Sequence, residues 1–289
     1  HYLSKFPHPF AHSNGIRVVQ RQEQLDKVAS THKEAKEKLQ EKYFGVADES
    51  IPLFSFVGRI CLQKGVHLIL NAVRELIDLH GGKLQIIVGG MANYKDPYAA
   101  QCAWTMQGLR TTYSKTFWAD PNEFFTDGPL LNLGSDFALM PSLFEPSGVV
   151  QQEYFIGGTP VIAFKTGGLK DTVFEGPEGN GFTFEAHSHR DFVDAITRAI
   201  KVFEQKEKYL ELRKRAKEST LDMEVVAKAW AKEFSRLRKC IWVDRKAVEI
   251  ELQSLKKQFP FDSWKSSPPI ERSESIDGSA NEQQTSHNY

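Results

Sequence analysis

The sequence predicts an α/β protein built on a doubly wound parallel sheet, a Rossmann-like lobe followed by a disordered C-terminal tail. Three observations predict it. Short apolar runs alternate with helically spaced segments at least four times along the chain. The runs are continuous rather than polar at every second position, as strands covered on both faces must be. Several of them stop at glycine or proline, where an open sheet faces its ligand crevice.

The elements follow in order. Residues 1–45 read as an interdomain segment with a helix. Glu, Lys, Gln and Ala dominate from Gln20 to Lys42, a good helix composition, and sparse apolar positions predict a surface helix or a link between lobes. Residues 46–242 read as the Rossmann-like lobe with C-terminal helices. Within it PLFSFVGR, from Pro52, is a buried strand, and Val66 to His80 is an amphipathic helix stopped by Gly81 and Gly82. LQIIVGG at 84–90 is a second strand, Ala99 to Tyr113 a helix and TFWA at 116–119 a weaker strand. DFALMPS at 136–142 is a strong strand, Val149 to Ile156 a helix, PVIAF at 160–164 a strand and Asp191 to Phe203 an amphipathic helix. Helical segments follow at 206–217 and 223–239. Residues 243–289 read as a charged helix and then a tail rich in Ser, Pro, Glu, Asn and Gln, disordered from 265 onward.

Composition removes several classes of function. Lys plus Arg equals Asp plus Glu at 37 each, so no net charge draws the chain to nucleic acid or to a membrane surface. The three cysteines, Cys61, Cys102 and Cys240, form no CxxC pair, which argues against a disulfide framework or a zinc site and for a reducing compartment. No apolar segment reaches the roughly 18 residues a membrane span needs. The chain begins at His1 and shows no signal peptide.

Four motifs fall at strand ends. In FVGRICLQKG, residues 56–65, Arg59 leaves the strand and Lys64 precedes the helix. Two cations beside a helix start suit a phosphate; solvated loop charges are the other reading. In VGGMANY, residues 88–94, the glycines allow close backbone approach or simply make a turn. Neither GxGxxG nor GxxxxGK[ST] occurs, which excludes the usual dinucleotide fingerprint and the P-loop. In EPSGVVQQE, Glu145 follows a strand, Ser147 and Gly148 stand near a helix start, and Glu153 comes eight residues after Glu145. The alternative there is a capping serine with two exposed acids. In KTGGL, Thr166, Gly167 and Gly168 can form a nest of N–H groups for an anion. Together these suit a nucleoside diphosphate carrying a polyol.

At these residues the chain resembles the C-terminal half of the glycogen and starch synthases, retaining GT-B glucosyltransferases. PLFSFVGRICLQKGVHLIL, GSDFALMPSLFEPSGVVQQE, GGTPVIAFKTGGLKDTV and KEKLQEKYFG carry the resemblance, which covers roughly residues 36–240. It implies transfer of glucose from ADP-glucose or UDP-glucose to the non-reducing end of an α-1,4-glucan, without a metal or other cofactor. It implies that Arg59 and Lys64 hold the diphosphate and that Glu145 lies by the glucose. Ser147 stands where bacterial members have cysteine, Gly148 and Val149 face the donor through their backbone, and Glu153 holds the ribose. Thr166, Gly167 and Gly168 meet the distal phosphate. It also implies an N-terminal lobe of the same enzyme, bearing the acceptor groove and a catalytic histidine, so this chain is expected to be a fragment from a cytoplasmic or plastid enzyme. A non-catalytic module that binds nucleotide-sugar or glucan is the alternative.

Overall fold

The structure, a computed structural model, describes residues 12–258. The chain divides into two units, His1–Glu233 and Phe234–Tyr289, and the first contains the sheet and the candidate site. Its order is α1 (Val18–Val28), α2 (His32–Phe44), β1 (Leu53–Val57), α3 (Val66–Leu79), β2 (Gln85–Gly89), α4 (Pro97–Thr112), β3 (Phe117–Asp120) and α5 (Gly128–Gly134). Then come β4 (Phe137–Met140), α6 (Val150–Ile156), β5 (Val161–Phe164), α7 (Gly167–Thr172), β6 (Gly181–Phe184), α8 (His189–Phe203) and α9 (Lys206–Glu218). The last helix, α10, runs Met223–Gln258. The tail expected from residue 265 onward lies outside the described residues.

Among the described residues six strands pair in parallel, in the order β3-β2-β1-β4-β5-β6. The chain works outward from β1 to β3, then returns to lay β4 on the other side of β1. The carboxyl ends of β1 and β4 therefore flank the topological switch point, where open α/β sheets bind ligands. Successive strand residues face opposite sides. Phe54, Phe56, Ile86, Val88, Phe137 and Leu139 pack with α3, α4 and α8. Leu53, Ile87, Ala138, Met140, Val161 and Ala163 pack on the other face with Leu39 of α2, Leu131 of α5 and Phe155 of α6.

The expected single surface helix over 20–42 is instead two helices, and the second is part of the core. Ala29 and Thr31 are extended. The Thr31 hydroxyl accepts from the Glu34 N–H, and the Glu34 carboxylate accepts from the Ser30 N–H. That capping box starts α2 afresh. α2 then buries Ala35, Lys36, Leu39 and Gln40, so residues 32–44 are a layer of the lobe rather than a linker. Three short elements, α5, α7 and β6, were not among the expected ones.

Asp136, one residue before β4, is fully buried. Its carboxylate accepts from the Leu53 N–H at 2.7 Å, the Lys36 ammonium at 2.8 Å and the Tyr209 hydroxyl, with His32 Nε2 at 3.2 Å. Burial would by itself raise the pKa of this carboxyl. The His32 contact and the Lys36 charge outweigh it and hold the group well below the usual carboxylate range. Lys36 also donates to the Glu49 carbonyl and lies over the Phe203 ring. One carboxylate thus ties β1, α2 and α9 together.

Asp136→Ala strands a buried ammonium and should lower unfolding free energy by about 3–5 kcal/mol, read from the urea midpoint. The depressed pKa sets the sign with pH. Its stabilisation is complete above the unfolded carboxyl value of about 3.9 and lost as pH falls through the lower native value. Asp136→Asn should accordingly flatten the acid limb of stability between about pH 4 and pH 2, measured by thermal unfolding.

Candidate active site at the carboxyl ends of β1, β4 and β5

Three loops follow three adjacent strands. The loop after β1 carries Arg59 and Lys64, the loop after β4 carries Glu145 to Val149, and the loop after β5 carries Thr166 to Gly168. Arg59 is exposed and its guanidinium donates to Gln63 Oε1 at 3.1 Å. Gln63 in turn donates to the Phe144 carbonyl at 2.9 Å, and its own carbonyl accepts from the Leu143 N–H at 2.8 Å. The first two loops are stitched together by that one glutamine.

Lys64 and Glu145 form an ion pair, and the Ser142 hydroxyl donates to the same Glu145 oxygen at 3.2 Å. Their side chains are only 14% and 10% exposed, so this is a nearly buried charge pair rather than a solvated surface contact. A short 3₁₀ turn, Leu62–Lys64, aims the lysine. Gly65 ends that turn at φ +64°, and a β-carbon there would lie 1.9 Å from the Pro141 carbonyl oxygen. The loop after β1 rests directly on the end of β4 because residue 65 has no side chain.

The third loop is held by backbone. The Gly168 N–H donates to the Glu145 carbonyl at 2.8 Å, and the Thr166 hydroxyl donates to the Leu143 carbonyl at 3.3 Å. Gly167 sits at φ +44°, its β-carbon position 2.1 Å from the same Glu145 oxygen. The Thr166 N–H is taken by Phe164. Of the expected nest, two N–H groups are therefore bonded to protein carbonyls, and Gly167 opens α7.

The remaining candidates make other contacts. Helix α6 starts at Val150 with Val149 as its N-cap, so Ser147 caps nothing. The Ser147 hydroxyl accepts from the Asn14 N–H at 3.0 Å. Gly148, at φ +70°, packs on the Gln151 side chain, and Val149 is exposed. Glu153 does not join Glu145: its carboxylate pairs with Arg21 of α1. Burial raises the Glu153 pKa, and the Arg21 charge offsets only part of that rise. Asn14, Arg21, Gln63 and Ser142 all escaped the sequence reading. Among the described residues, no three His, Cys, Asp or Glu side chains stand together as ligands of a metal ion. No helix among them is long and apolar enough to cross a membrane.

Residues 38–219 match the family of glycosyl transferases group 1. The chain belongs to that family. Among curated members, a glycogen synthase of Alkaliphilus metalliredigens is 32% identical over 207 residues, covering 69% of this chain and 41% of the relative. A glycogen synthase of Flavobacterium johnsoniae is 35% identical over 174 residues, covering 59% of this chain and 35% of the relative. This group 1 chain thus spans less than half the length of these curated relatives. Its fold matches the catalytic domain of starch synthase IV from Arabidopsis thaliana, bound to ADP and acarbose, at TM-score 0.62 and 24% identity over 76% of this chain and 44% of that one. It also matches the C-terminal domain of a group 1 glycosyl transferase from Francisella tularensis at TM-score 0.53 and 16% identity, over 71% of this chain and 96% of that domain.

Lys64→Ala leaves a nearly buried carboxylate with one hydroxyl partner. It should cost about 2 kcal/mol of stability, whereas the double change Lys64→Met with Glu145→Gln should recover most of that loss; urea midpoints of the three proteins decide it.

Proposed function

We propose that this chain is the donor-binding lobe of a retaining glucosyltransferase of the glycogen and starch synthase kind. The reaction moves glucose from ADP-glucose or UDP-glucose to the non-reducing end of an α-1,4-glucan. One observation carries the reading: the Lys64–Glu145 pair, with Arg59 in the same loop as the lysine, at the switch point of the sheet. A sugar diphosphate needs cations and a hydroxyl acceptor within reach of each other, and this pair brings both.

The chemistry follows from charge. Breaking the anomeric bond leaves negative charge on the departing diphosphate and positive character on the glucose ring. Arg59 and Lys64 stabilise the first, which they do best when already fixed in place. Glu145 accepts from the glucose hydroxyls. Backbone at Gly148 and Val149 and the turn Thr166, Gly167 and Gly168 complete the donor cradle, with Ser147 fastening that loop to the Asn14 backbone. Arg21 engages one oxygen of Glu153, and the other accepts from ribose hydroxyls. The positive charge comes from side chains, so no metal ion is called for. The acceptor and the groove that presents it belong to an N-terminal lobe of the same enzyme.

Both donors deserve a trial, because solved structures of similar fold carry ADP in the starch synthase and UDP-glucose in HepE of Anabaena. Calorimetric titration of this chain with each should give saturable binding of one in preference to the other. Arg59→Ala and Lys64→Ala should each weaken it by about 10- to 100-fold, the worth of one hydrogen bond to a charged group. Absence of binding by both donors at millimolar concentration, or full affinity in both variants, would sink the assignment.

A further inference from the structure

We propose that His187, in the loop after β6, is a positioning residue for the Lys64–Glu145 pair. The inference rests on the donor-site reading above, and its test includes a readout that does not. His187 Nε2 lies 2.8 Å from the Pro141 carbonyl oxygen. A carbonyl can only accept, so Nε2 carries the proton and donates. The same oxygen is the atom against which Gly65 rests, and His187 Nε2 is 3.0 Å from the position a Gly65 β-carbon would take. A single N–H therefore sits where the two site loops touch.

Each loop leads from that point to one member of the pair. Gly65 follows Lys64. Pro141 precedes Ser142, whose hydroxyl holds the Glu145 carboxylate. The imidazole is itself fixed on several sides. It meets the Phe164 ring edge-on with centroids 5.0 Å apart, lies 6.5 Å from the Phe184 ring and 5.6 Å from the His67 ring. His67 is anchored in turn by the Tyr98 hydroxyl at 2.9 Å. Three aromatic neighbours restrict this half-buried ring, so its N–H sets the height of the Pro141 carbonyl over the turn that aims Lys64. His187 touches neither member of the pair and acts only through the carbonyl.

Three variants separate this role from simple packing. His187→Gln places an amide N–H near the Nε2 position. His187→Phe fills the ring volume without a donor, and His187→Asn keeps an amide too short to reach, which serves if the phenylalanine variant fails to fold. Amide hydrogen exchange in the ligand-free chain supplies the independent readout. The Leu143 N–H, bonded to Gln63, and the Gly168 N–H, bonded to Glu145, report the loops; the Ile86 N–H, bonded to Thr116, reports the sheet. The expected result is that Phe and Asn speed exchange at Leu143 and Gly168 about tenfold, leave Ile86 unchanged, and weaken nucleotide-sugar binding about tenfold, while Gln stays within twofold of wild type. Unchanged loop exchange in Phe and Asn overturns the proposal, as does a Gln variant as impaired as Phe. If loop exchange follows the expected order but wild-type chain binds no nucleotide-sugar, the positioning role stands and the donor reading fails.

Discussion

The lobe depends on a buried carboxylate at the start of its central strand. Asp136 takes the first backbone N–H of β1, the ammonium of Lys36 from α2 and the hydroxyl of Tyr209 from α9. Arg213, one turn along α9 from Tyr209, donates to the carbonyls of Ser135 and Gly157. These groups converge at the amino ends of β1 and β4, the opposite edge from the candidate site. A charge so fully buried is tolerable only when every lone pair is used. The cluster therefore acts as an all-or-none fastening, and it fixes the relative height of the two strands whose far ends hold Lys64 and Glu145.

At the carboxyl edge the arrangement is different in kind. The three loops meet through main chain: Gly65 on the Pro141 carbonyl, Gly167 and Gly168 against the carbonyls of Glu145 and Ser147. Backbone contacts of this sort hold the loops in position without a layer of side chains between them. They leave Arg59 exposed and the Lys64–Glu145 pair nearly buried beside it in the loops. Rigidity comes from below and chemistry faces outward, the division of labour expected of sites mounted on strand ends.

Much of this was legible in the sequence, for identifiable reasons. Continuous apolar runs such as LQIIV and DFALM, short and closed by glycine or proline, read as doubly covered strands rather than helices. The strand-end motifs marked Arg59, Lys64 and Glu145, and the structure brings those strand ends to neighbouring loops. What escaped was short or distant. GPLLNLG and GGLKDT begin with residues that break helices, and GFTF is too brief to carry a period. The capping box Thr31 to Glu34 was readable but lay inside a stretch of uniform helix formers. The pairing of Glu153 with Arg21 joins residues 132 positions apart, and Asp136 meets partners 73 to 104 positions away. Local pattern gives residue types at a site; which acid meets which cation is settled by tertiary contact.

The contact between Gly65 and the Pro141 carbonyl has a consequence for variation among related chains. Two main-chain segments packed this closely have little slack, so the spacing between the lysine and the glutamate depends on backbone contact at that one point. Substitutions in the surrounding apolar layer can loosen the lobe without altering that spacing. A single methyl group at position 65 cannot enter without parting the strands. Tolerance to mutation should accordingly be lowest where the chain has no side chain at all.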